Sequence, residues 1–148
     1  MAQTKSTTQL GLVVPDVNCP DAQPGSPVAL LAAAVSALDT HIASVETNSG
    51  SGAITNNVGL VYITDPGVAA LTLAAPVAGL PSAGGADGNE LTIVSTTAYA
   101  HTVTTPASAI NGTNHVLTFA AAKGTQIKLL AFGGVWYVEP SAPGITIS

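Results

Sequence analysis

Arginine is absent from this 148-residue chain, and lysine occurs only at Lys5, Lys123 and Lys128. A protein that neutralises phosphates needs clustered cations, so nucleic acid is excluded as a partner. An anionic membrane surface is excluded on the same ground. Charge of either sign is scarce: charged residues make up 7% of the sequence and the formal net charge is −5, where an ordinary domain carries roughly 25% charged residues. The single cysteine, Cys19, excludes an intrachain disulfide. Long apolar runs are missing too. ALLAAAVSAL at 29–38 is too short to span a bilayer. The opening MAQTKSTTQLGLVVPD has no apolar stretch of the length a secretory signal requires, so none is expected.

Catalytic constellations are equally scarce. An enzyme needs an activated nucleophile or an acid–base pair with an orienting group. Beyond residue 25 the ionisable acids and histidines are Asp39, Asp65, Asp87, Glu46, Glu90, Glu139, His41, His101 and His115, and no two carboxylates stand at a meaningful spacing. Neither a G-x-S-x-G elbow nor a phosphate-cradling glycine loop is found. No catalytic activity, metal or cofactor is expected. Asp65 and Asp87 fall in turn sequences, where short carboxylates cap backbone amides. His101 lies in VSTTAYAHTVTT and reads as a strand residue, either on the surface or at a subunit interface. His115 reads as a strand residue beside a turn. The NGT at 111–113 matches a glycosylation acceptor, but without a secretion signal it reads as a turn.

What is present is apolar content of 47%, enough for a core and too much for a disordered chain. Thr, Ser, Asn, Gln and Ala must therefore supply most of the surface. Such a surface does little to resist self-association, which suits a component of an assembly.

The chain divides by pattern. Residues 1–25 contain Pro15, Pro20 and Pro24 and show no sustained period, which predicts an extended arm with one apolar patch at Leu10, Leu12, Val13 and Val14. Residues 26–47 predict a helix: Ser26 is a natural N-cap, Pro27 suits the first helical position, and NSGSG follows as a stop. Its large apolar residues, Val28, Leu31, Val35, Leu38, Ile42 and Val45, recur at alternating spacings of 3 and 4, a heptad seam. Two packings suit that seam: a single helix on its own domain's sheet, or a short coiled coil between identical chains. Residues 48–57 read as a Gly/Ser/Asn linker.

Residues 58–148 are strand and turn. Seven short strands are expected, at 58–64, 68–74, 90–97, 100–105, 115–120, 125–132 and 135–138, separated by DPG, PSAGGADGN, NGTN and GG. In the third, Leu91, Ile93 and Ser95 should share one face and Thr92, Val94 and Thr96 the other. The fold class is mainly β: a C-terminal antiparallel β-sandwich or barrel-like module preceded by an extended arm and one α-helix. Trp136 and Tyr137 are alternate strand neighbours, so one should enter the core while the other faces out.

The succession GVAALTLAAP, DGNELTIVSTTAYAHTVTTP and INGTNHVLTFAAAKGTQIKLLAFGGVWYV resembles a β module common in small bacteriophage structural proteins. In those proteins a short strand ends in AP, a D-G turn leads to LTI-STT-AHTVT, and the module closes with G-x-WYV. The resemblance covers residues 58–138. It implies a non-enzymatic virion protein, usually trimeric, made in the host cytoplasm and carried on the outer capsid surface. A capsid decoration (cement) protein bound to the major capsid protein is expected, with the arm residues Leu10, Leu12, Val13 and Val14 making the attachment. A head or tail fibre is the alternative, as is a carbohydrate-binding receptor-recognition protein with Trp136, Tyr137, Tyr99 or Tyr62 as stacking platforms.

If the seam joins copies, Leu38→Asp converges charges on one axis, where desolvation is costly. Helix association should be lost while the β domain keeps its cooperative thermal unfolding, read by circular dichroism. Loss of that cooperative transition would instead place the helix in the β domain's own core.

Overall fold

Alternation of apolar with polar or β-branched residues produces strands, and each of the seven expected ones forms. The computed structural model describes residues 6–7, 13–14, 44–139 and 143–148. The chain falls into two units, Met1–Ser44 and Val45–Ser148. In the first, β1 (Ser6–Thr7) pairs antiparallel with β2 (Val13–Val14), Ser6 opposite Val14 and Thr7 opposite Val13. The arm is thus interrupted by one local pairing, and the backbones of Val13 and Val14 are engaged within it. Leu10, Leu12 and the seam residues Val28, Leu31, Val35, Leu38 and Ile42 lie outside the described residues.

The described residues of the second unit form ten strands: β3 (Val45–Asn48), β4 (Gly52–Ile54), β5 (Gly59–Ile63), β6 (Ala70–Leu73), β7 (Glu90–Ser95), β8 (Thr102–Thr104), β9 (Val116–Phe119), β10 (Gln126–Phe132), β11 (Val135–Val138) and β12 (Ile145–Ile147). Two boundaries differ from expectation. Val45 opens a strand rather than closing a helix, so the last turn of the expected helix is β3. The expected linker 48–57 holds the end of β3 and all of β4.

One sheet has the order β11-β10-β7-β5-β3, and the other β12-β9-β8-β6-β4. From β3 to β8 the chain changes sheet at every strand, forming three arches, β3–β4, β5–β6 and β7–β8. Equivalent strands of successive arches pair in parallel, β3 with β5 and β5 with β7 in one sheet, and β4 with β6 and β6 with β8 in the other. Only the later strands add antiparallel pairs: β7–β10, β10–β11, β8–β9 and β9–β12. The sheets are therefore mixed, and the expected antiparallel module is corrected on that point.

The inner faces of both sheets contribute to one core. Val61, Ile63, Leu91, Ile93, Ile127, Leu129 and Trp136 come from the first sheet, with Ile54, Leu71, Leu73, Val103, Leu117 and Phe119 from the second. Leu91, Ile93 and Ser95 are all buried, as the alternation requires. Fully burying an aliphatic or aromatic side chain stabilises by roughly 1.5–3 kcal/mol, so this shared interior is the main source of cohesion.

Polar side chains hold the arches in register. Thr64 and Thr96 each follow a strand of the first sheet, and each donates its backbone N–H and its hydroxyl to a carbonyl of the preceding arch. Thr64 uses the Asn48 carbonyl, at 2.8 and 3.2 Å, and Thr96 the Ile63 carbonyl, at 2.9 Å for both. Ser51 Oγ accepts from the Ala70 N–H at 2.9 Å. Glu46 accepts from the backbone N–H groups of Thr55 and Asn56 and from the side chains of Thr55 and Asn48, tying β3 to the end of β4. Burial opposes ionisation of Glu46, but hydrogen bonds from Asn48, Asn56 and Thr55 outweigh it and hold its carboxyl below the ordinary value.

The long β6–β7 connection, residues 74–89, contains a single 3-10 turn at Pro81–Ala83. A Cβ on Gly85 would collide with the Gly79 carbonyl, so that loop closes only with glycine. Asp87 Oδ1 accepts from Gly133 N at 2.8 Å, which joins the loop to the β10–β11 turn, and Asp65 caps Gly67 N locally at 2.8 Å.

Candidate functional site

His101 precedes β8 and is fully buried, neither on the surface nor within the strand itself. Its Nδ1 accepts from the Ala69 N–H at 3.1 Å, and its Nε2 lies 2.9 Å from Thr97 Oγ1. Because Nδ1 must stay unprotonated to accept, the ring proton belongs on Nε2 and is donated to Thr97. The edge of Tyr99 approaches the ring, with centroids 6.5 Å apart. The histidine thereby joins the β5–β6 bend to the β7–β8 bend. Burial lowers its pKa below the ordinary 6.5, and the opposing charge of Asp65 only partly offsets this. Among the described residues no carboxylate hydrogen-bonds the ring, so the group is a neutral structural bridge without the orienting partner of a general base. His115 is exposed beside the 111–114 turn. Among the described residues no three His, Cys, Asp or Glu side chains are grouped closely enough to hold a metal ion. No described helix is long and apolar enough to cross a membrane.

Trp136 is fully buried, and its Nε1 donates to the Ala74 carbonyl at 2.9 Å. It is the inward member of the Trp136–Tyr137 pair, and its assignment as a stacking platform is corrected: no face of the indole reaches solvent. Tyr137 is the outward member, 43% exposed. Asn111 adopts the left-handed conformation of a turn, with φ 51°, and its Oδ1 accepts from Val138 N at 3.0 Å.

The outward positions of the two sheets differ in chemistry. On the second sheet they are Ala53, Ala70, Thr72, Thr102, Thr104, Val116, Thr118 and Thr146. Registered rows run Ala70–Thr102–Thr118–Thr146 and Ala53–Thr72–Thr104–Val116. On the first sheet the corresponding positions mix large apolar groups with polar and charged ones. One row runs Val45–Leu60–Thr92–Lys128, a second Thr47–Tyr62–Val94–Gln126, a third Glu90–Leu130–Tyr137, and Phe132 stands opposite Val135. Phe132 is 63% exposed, Val45 61% and Leu130 40%.

Between the two apolar areas of the first sheet, Lys128 Nζ contacts Glu90 at 2.9 Å and Glu139 at 3.3 Å. The hydrogen bonds that Lys128 donates to Glu90 and then to Glu139 raise its pKa. The lysine is neutralised by its own chain and offers no free cation to an anionic partner. Val45, assigned from sequence to the helix seam, is an exposed member of this face.

Concave features accompany both sheets: a hollow of about 220 Å³ lined by Thr92, Gln126, Ile127, Lys128 and Glu139 lies on the first. A shallow groove of about 410 Å³ opens at the carboxyl ends of the parallel strands β4, β6 and β8. It is lined by Ala53, Ile54, Thr72, Leu73, Ala74, Thr104, Thr105 and Pro106. None of these side chains titrates, so the groove provides shape without acid–base chemistry.

No family model, curated protein or solved structure matches the chain. The outer face of the first sheet is the candidate functional surface, because exposed large apolar side chains collect there.

The His101 bridge generates a pH dependence. A buried imidazole whose folded pKa lies below 6.5 contributes its full stabilisation above pH 6.5. That contribution falls as the pH drops from 6.5 towards the folded value, because only the unfolded chain takes up the proton. His101→Leu orphans the Ala69 N–H and should cost about 1–3 kcal/mol at pH 7.5. The stability gap between wild type and variant, measured by urea unfolding, should narrow at pH 5.5. A gap that is constant or widens would show that the ring is not held neutral.

Proposed function

We propose that the protein is a non-enzymatic virion structural component, a homotrimeric capsid decoration (cement) protein bound to the major capsid protein on the outer capsid surface. The observation that carries this reading is the first sheet's outer face, where Leu130, Phe132, Tyr137 and Val45 stand exposed around a self-neutralised lysine. Exposed apolar groups clustered on one face mark an association surface. With charged residues at only 7% of the chain, little opposes burial against a further protein surface. The resemblance of residues 58–138 to the β module of small bacteriophage structural proteins supports the virion setting. The apolar arm Leu10, Leu12, Val13 and Val14 is the element proposed to attach to the capsid. Three arms carried by one trimer would engage together, so avidity offsets weak single contacts.

A second reading has its own support: Tyr137 and Phe132 are both exposed on neighbouring strands, an arrangement that suits stacking on a sugar ring. It corresponds to a head or tail fibre, or a carbohydrate-binding receptor-recognition protein. One experiment separates the two. Purified protein, with and without residues 1–18, is added to particles lacking it, and binding and survival of heat or osmotic shock are scored. The decoration reading expects the full chain to bind heads and raise their survival, and the truncated chain to bind far less. Undiminished binding of the truncated chain would move the attachment to the β unit or the helix. Binding to tails, together with glycan binding that Tyr137→Ala abolishes, would establish the fibre reading instead.

A further inference from the structure

We infer that the outer face of the first sheet is the contact between copies of this chain. Each copy presents Leu130, Phe132 and Tyr137 to the Leu60, Tyr62 and Val94 area of the next. This rests on the homotrimer reading and goes further by naming the surface that forms it.

Four observations select a second copy as the occupant. First, the apolar exposure is one-sided: Val45, Leu130, Phe132 and Tyr137 project from this sheet, whereas the outward positions of the other sheet are threonine and alanine with one valine. Second, the charge pattern fits an uncharged partner. Lys128 is satisfied by Glu90 and Glu139 of its own chain, so a strongly acidic surface gains no cation and a basic one meets only carboxylates already engaged.

Third, the sequence spacing read as a heptad, Val28, Leu31, Val35, Leu38, Ile42, reaches Val45, which in the fold is a strand residue that begins the outward row Val45–Leu60–Thr92–Lys128. A spacing that suits pairing between copies therefore ends on a residue of the exposed face. Fourth, the β11 edge of the sheet is closed. Trp136 N donates to the Ala109 carbonyl, Asn111 N donates to the Trp136 carbonyl, and Val138 N donates to Asn111 Oδ1. Association by strand addition is therefore blocked at that edge.

The two apolar areas flank the Lys128 ion cluster and differ in composition. Unlike halves of one face meeting in succession make a heterologous contact, which forms a ring where the rotation between copies closes; the homotrimer reading takes that rotation as three-fold.

The test is sedimentation velocity on the full chain across a dilution series. The comparison set is wild type, the double variant Leu130→Asp/Phe132→Asp, its milder form Leu130→Ser/Phe132→Ser, and Thr104→Asp on the outer face of the second sheet. Circular dichroism reports the fold of each. Wild type should sediment at three times the 14.5 kDa chain mass. The Asp double variant should be monomeric. The Ser form, which adds no charge and serves if the Asp form misfolds, should weaken association by about 30-fold or more, the effect of losing interface hot spots. Thr104→Asp should remain a trimer. Trimers that persist unchanged in folded Asp or Ser variants would overturn the assignment of the face and leave the homotrimer standing. A wild-type mass of one or two chains would defeat the homotrimer itself.

Discussion

The β unit depends on keeping three arches in parallel register. Antiparallel strands can be fixed by a tight hairpin, whereas parallel ones are joined through long crossovers and gain no register from the connection. A slip of one residue would turn every inward side chain outward. In this chain the register is held by side chains at the bends: Thr64 and Thr96 on carbonyls of the preceding arch, Ser51 on the Ala70 N–H, and His101 on the Ala69 N–H. The histidine serves best among these because its two ring nitrogens reach two different bends at once. A buried imidazole is thus used for geometry, and its neutrality is a condition of the fold.

Stacked arches create two broad outer faces from one core, and the sequence treats them differently. Threonine and alanine on the second sheet leave a regular, uncharged surface. Leucine, phenylalanine, tyrosine and valine on the first leave a surface that gains by being covered. The ion cluster of Lys128 with Glu90 and Glu139 is exposed and contributes little to stability by itself. Its consequence is to remove a free cation from the middle of the apolar face. That arrangement connects the scarcity of charge in the composition to a place in the fold that would gain by being covered.

Much of this was legible in the sequence. All seven expected strands formed, because period-two alternation and the turns DPG, NGTN and GG act locally. The pairing was not legible, since the same alternation serves parallel and antiparallel neighbours and the partners lie far apart in sequence. β3 reads as helix in sequence because Val45 continues the heptad spacing; its pairing with Leu60 is a long-range event that the spacing does not carry. β4 reads as linker in sequence because Gly52 and Ala53 are exposed and only Ile54 is buried. The sidedness of Trp136 and Tyr137 followed from alternation, though which one enters the core did not. A signal for His101 was available: it shares parity with Val103 and Thr105, and all three are buried. The outer face was the least visible feature, because Leu60, Leu130 and Phe132 look like core residues until the register assigns them outward.

The central claim is that this face is covered by a neighbouring copy in solution. Hydroxyl-radical footprinting of the unmodified protein tests it most directly, because the chain contains its own reference. Val68, Val77 and Leu80, in the connections, are 65%, 62% and 66% exposed, while Phe132 and Val45, on the face, are 63% and 61%. If copies pack through the face, Phe132 and Val45 will be oxidised much less than their intrinsic reactivities and these exposures require, while Val68, Val77 and Leu80 react freely. The protection will disappear on dilution to monomer. Oxidation of Phe132 and Val45 in full proportion to their exposure, unchanged across the same dilution, would contradict the account.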